Sequence, residues 1–72
     1  MRSNSWHECA TDAAFLCGVA DDHIAEALRG ASLSPSEICS ILDHADAALC
    51  LALRNLKRAR EHAAALRQMM ED

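Results

Sequence analysis

Ten apolar residues, Ile38, Leu42, Ala45, Leu49, Ala52, Leu56, Ala59, Ala63, Leu66 and Met70, follow one another at alternating steps of four and three residues without a miss. A helix gathers such positions into one stripe, and the strict alternation is the a/d seam of a helix that lies against another helix. What covers this stripe is the first question the chain poses, because an uncovered row of large apolar side chains is unfavourable in water.

The helix ends are written in the sequence. Ser34-Pro35-Ser36-Glu37 has the form of a capping box with proline at the first helical position, and Leu33 stands where it can staple onto Ile38. No glycine or proline follows, so a helix is expected from 35 to about 71. Ser5-Trp6-His7-Glu8 has the same form, with Ser5 as the N-cap, and Arg29 followed by Gly30 in the left-handed conformation would close a first helix at about 6 to 29. Gly18 in its middle costs about 1 kcal/mol relative to alanine and could break or kink it.

A linker of five residues, Gly30 to Ser34, makes the pair an antiparallel αα-hairpin. The expected fold is all-α, a single helical-hairpin domain over residues 1–72. The first helix carries its own stripe in Trp6, Ala10, Ala13, Cys17, Ala20, Ile24 and Leu28, flanked by Cys9 and Leu16. Ala10, Ala13, Ala14 and Gly18 are small enough to let its backbone approach Ala45, Ala48 and Ala52.

At a rise of about 1.5 Å per residue the helices would be about 36 and 55 Å long. Folding back from residue 32 puts Trp6 near residue 58 and leaves Ala59, Ala63, Leu66 and Met70 uncovered by their own chain. A second copy is expected to cover them, giving a homodimeric four-helix bundle. A chain of 72 residues is marginal alone in any case.

Composition narrows the function. The net charge is −4, which argues against a general nucleic-acid binder. Charge is unevenly placed: residues 1–50 carry eight acids against Arg2 and Arg29, while residues 51–72 carry Arg54, Lys57, Arg58, Arg60 and Arg67 against three acids. The start has no apolar core of a signal peptide, and no run of about 18 apolar residues occurs, so a cytoplasmic protein without membrane contact is expected.

Cys9, Cys17, Cys39 and Cys50 are then expected as free thiols. Twin cysteine motifs with nine intervening residues define a mitochondrial disulfide family, but the spacings here are seven and ten, and only Cys17 and Cys50 come near one another in a hairpin. No two Cys or His residues have the helical i, i+3 or i+4 spacing of a metal pair, so no metal is expected. His7 and Cys9 point about 200° apart on a helix, and no glycine-rich loop exists. Neither an enzyme nor a cofactor is expected.

The Arg29-Gly30 turn, the Ser34 to Glu37 cap and the Ala/Leu-rich second helix make the chain similar in outline to small helical hairpins such as type III secretion needle co-chaperones and phage or bacterial anti-activators. At the level of fold the resemblance implies a small bacterial hairpin that holds another protein, and it carries over no functional residue.

The function expected from the residues is a non-enzymatic protein–protein interaction module, a dimeric regulator or chaperone that binds or sequesters a helical or acidic protein. The expected interface is Leu49, Ala52, Leu56, Ala59, Ala63, Leu66 and Met70, with Lys57, Arg60 and Arg67 as its charged rim. The alternative is a helical regulator that touches nucleic acid through the Arg54 to Arg60 face.

Overall fold

The computed structural model describes residues 5–71, which form two helices, α1 (Ser5–Arg29) and α2 (Pro35–Glu71), packed against each other as a hairpin. The molecule is a rod of 59 × 16 × 14 Å with a radius of gyration of 16.7 Å, against about 11 Å for a compact chain of this length.

The start of α2 is built as the sequence dictates. The Glu37 amide donates to Ser34 Oγ at 3.2 Å, and the Ser34 amide donates to Glu37 Oε1 at 2.8 Å, so two of the first orphan donors are satisfied reciprocally. Ser34 also accepts from the Ile38 amide at 3.0 Å. The first helix differs at its start. Ser5 is already helical, so it is not the N-cap, and residue 4 before it lies outside the described residues.

The turn also departs from expectation. Gly30 does not take the left-handed conformation: no glycine among the described residues has a positive φ. The chain reverses instead through a tight turn in which the Leu33 amide donates to the Gly30 carbonyl at 3.3 Å. The absence of a side chain at residue 30 leaves room for Leu33, because a Cβ there would meet Cγ and Cδ1 of Leu33 and force that side chain to move. Gly18 neither breaks α1 nor serves a close approach, since a Cβ there would meet nothing within 4 Å.

The seam between the helices is made of alanine. Ala13 and Ala20 of α1 and Ala45, Ala48, Ala52 and Ala59 of α2 are the buried core, and among the described residues no large side chain is fully buried. Ala20, Ala45 and Ala48 form its centre, with Val19 packed beside them. On both helices the inward rows repeat every seven residues. One row is Ala13 and Ala20 against Ala45, Ala52 and Ala59; the other is Cys9, Leu16 and His23 against Ile41, Ala48 and Asn55, all buried or half-buried. Asn55 donates its side-chain amide to the Leu51 carbonyl at 3.0 Å, which satisfies the polar group placed in this row.

The pairing of Ala20 with Ala45 and Ala48, and of His23 with His44, sets the register. Ser5, the first described residue, then falls level with about residue 61, and the last ten described residues of α2 extend past it. The tight turn centres the hairpin one to two residues later than a turn at residue 32 would, and this places Ala59, 5% exposed, under cover of its own chain.

Two predictions follow from these local features. Gly18→Ala adds a methyl group into open space and removes backbone freedom from the unfolded chain. It should stabilise the fold by up to about 1 kcal/mol, which a thermal melt reads as a rise of about 4–8 °C; an unchanged or lowered midpoint contradicts a regular helix through residue 18. The hydrogen bonds from the Ser34 backbone and side chain hold the Glu37 carboxyl below its ordinary pKa of 4.5. A lowered folded-state pKa adds stability that is present above the unfolded value and is lost as pH falls through the folded one. Denaturation at pH 5 and pH 3 should show a smaller acid loss in Glu37→Gln than in the parent.

Candidate interaction surface

The ten-residue stripe of α2 divides in two. Ala45, Ala52 and Ala59 are consumed by the hairpin seam and Ile38 and Leu66 are half-buried, whereas Leu42, Leu49, Leu56, Ala63 and Met70 stand exposed. The stripe of α1 divides the same way: Ala13 and Ala20 are buried, Ala10 is half-buried, and Cys17, Ile24 and Leu28 are exposed. Alternate members are excluded because alanine against alanine brings the backbones so close that larger side chains in the next row are displaced sideways.

The displaced rows share one face of the hairpin. Leu49 follows Ala45 by four residues, as Ile24 follows Ala20, and in an antiparallel pair of right-handed helices equal offsets from the seam fall on the same side. The opposite offsets are visibly together: His23 and His44 stack across the seam, with ring centroids 5.6 Å apart and an interplanar angle of 30°. They line a shallow groove with Glu26, Glu37, Ser40 and Ile41, drawn from both helices. The hairpin thus has one face with a histidine groove and another that is apolar, on which Trp6, Ile24 and Leu28 of α1 lie beside Leu42, Leu49, Leu53 and Leu56 of α2.

Of the interface residues expected from the sequence, Leu49 and Leu56 are 44% and 45% exposed and remain available. Ala63 and Met70 are exposed on the overhang and Leu66 is half-buried there. Ala52 and Ala59 are not available to another molecule while the hairpin is closed. Lys57, Arg60 and Arg67 line an open groove with Glu61, Ala63 and Ala64, so the charged rim stands where the stripe leaves its own hairpin. Arg54 and Arg58 are exposed as well.

Sequence reasoning missed several members. Leu53 is 66% exposed and sits outside the four-three alternation, although it lies four residues after Leu49 and three before Leu56. The sequence pattern assigns the turn-end pair Ile24 and Leu28 to the seam, whereas both stand exposed. The His23–His44 pair leaves no trace in the residue spacings within one helix, since it exists only through the register between two. Phe15 is 71% exposed on the outward side of α1, away from both faces, and nothing in the structure explains it.

All four cysteines are free, Cys9 half-buried and the others exposed. Cys17 and Cys50 do come level, but Cys50 follows Ala45 by five residues and points away from α1. Among the described residues no three of His, Cys, Asp and Glu gather into a metal site. Among the described residues no helix is long and apolar enough to cross a membrane.

The division between seam and surface is testable. Ala52→Leu forces a large side chain into the buried alanine seam and should cost about 1–3 kcal/mol. The loss should be read in urea unfolding at every protein concentration, because the seam lies within one chain. Equal tolerance of Ala52→Leu and Leu49→Ala would mean that the two rows are not distinguished in the way described.

Comparison with protein-family models, with curated proteins and with solved structures finds no match for this chain in any of the three.

Proposed function

We propose that this chain is a non-enzymatic protein–protein interaction module, a helical hairpin that joins a second copy in a four-helix bundle and acts as a small regulator or chaperone by binding or sequestering another protein. The observation that carries this reading is the inversion of burial: six alanines form the core, while Leu42, Leu49, Leu51, Leu53 and Leu56 are all at least 44% exposed. Burying a leucine contributes about 1.5–3 kcal/mol, so a fold that buries alanine and exposes leucine has left most of its apolar driving force unused.

Surface area supports the same reading. The chain exposes 5715 Å², whereas a compact monomer of 7.8 kDa exposes about 4,400 Å². The excess of roughly 1,300 Å² is more than the about 800 Å² that each partner contributes to a standard interface. Free thiols suit a reducing compartment such as the cytoplasm. The overhang, where Lys57, Arg60 and Arg67 stand beside Ala63 and Met70, offers a combination suited to an acidic helix.

Light scattering should give a mass of about twice 7.8 kDa at tens of micromolar, and the melting temperature should rise with protein concentration, as it does when folding and association are linked. A strict monomer with a cooperative, concentration-independent melt would refute self-association.

A further inference from the structure

The two ends of the rod differ in charge and in what they leave uncovered. The turn end carries Asp21, Asp22, Glu26, Glu37, Asp43 and Asp46 against Arg29. At the open end Arg54, Lys57, Arg58, Arg60 and Arg67 of α2 stand against Glu61, with Glu8 and Asp12 on α1, and Glu71 and Asp72 follow in the sequence. Around the apolar face the same polarity holds: Asp21 and Asp46 border its turn half, and Lys57, Arg60 and Arg67 border its open half, all of them exposed.

Two copies laid face to face and pointing the same way would set Asp46 level with the partner's Asp46, and Arg60 level with the partner's Arg60. They would also leave both overhangs beyond the reach of any α1. Turned end for end about a two-fold axis level with Leu53, Asp46 comes level with the partner's Arg60, and Arg60 with the partner's Asp46. The same rotation carries the turn half of the partner's α1 alongside residues 62–70 of α2, the segment that α1 of its own chain does not reach. Leu28 and Met70 are 83% and 86% exposed, and this arrangement sets each beside an apolar surface of the other copy.

Resting on the self-association proposed above, we infer that the apolar face made by Ile24, Leu28, Leu42, Leu49, Leu53 and Leu56 is occupied by a second copy of this chain lying antiparallel, acidic turn end against basic open end. Like-charge repulsion selects against the parallel alternative, and opposite charge steers the encounter. The interface is isologous, so each rim pair occurs twice.

Native Cys39, exposed near the turn end of α2, supplies a probe of the arrangement. In a variant with Cys9, Cys17 and Cys50 replaced by serine, a spin label on Cys39 should lie about 40 Å along the rod from its counterpart in the partner, from the rise of 28 helical residues. In a parallel dimer, with axes 8–10 Å apart, the labels would fall within about 20 Å. Charge reversal is the second readout. Asp46→Arg alone and Arg60→Asp alone should each weaken dimerisation roughly tenfold at low salt, and the two together in one chain should restore it. Positions 46 and 60 lie about 21 Å apart on one helix, so restoration reports contact between chains. A short label distance, or a double variant no better than the single ones, overturns the antiparallel arrangement while leaving the dimer in place. A monomer overturns the self-association on which it rests.

Discussion

The close approach of two alanine-lined helices governs everything else in this structure. Ala13 and Ala20 meet Ala45, Ala48, Ala52 and Ala59 in a seam flanked by half-buried Leu16 and Ile41, and Leu42, Leu49 and Leu56 of the α2 stripe are turned out to one side. Close backbone packing gains dispersion contacts but removes little apolar surface from water per residue. The hairpin is thereby well defined in shape and register while leaving much of its apolar content outside.

That outward content is organised. A seven-residue repeat on both helices keeps the displaced rows in line along the rod, and antiparallel pairing puts both rows on the same face. The other face is of a different character, with His23 stacked on His44 and flanked by Glu26, Glu37 and Ser40. A surface of leucines bordered by acids at one end and bases at the other is directional, and the α2 overhang extends it beyond the hairpin. Recognition of helical partners draws on these features together, since apolar anchors supply affinity and bordering charges set orientation.

Local chemistry fixes where the helices begin and how the chain reverses. The reciprocal hydrogen bonds of Ser34 and Glu37 start α2 at Pro35, and the Gly30 to Leu33 turn reverses the chain in few residues. The turn shifts the register by one to two residues relative to a looser connection, and that shift decides whether Ala59 is covered by its own α1. The left-handed glycine expected at position 30 was replaced by another use of the same residue, the space it leaves for the Leu33 side chain.

The sequence by itself determined the helices, the α2 cap, the hairpin and the chemical character of the stripe, because these depend on spacing and on neighbours a few residues apart. Its ten-residue alternation, however, predicted one seam where there are two surfaces: Ala52 and Ala59 face the partner helix, while Leu49, Leu56 and Met70 of the same repeat face outward. Periodicity records which residues share a side of a helix and is silent about how near the neighbouring helix comes. Only the tertiary structure decided that distance, and with it the register that joins His23 to His44, the place of Leu53 on the apolar face and the length of α2 left beyond α1. Each of these is a relation between residues far apart in the chain, set by the fit of alanine against alanine and by one tight turn.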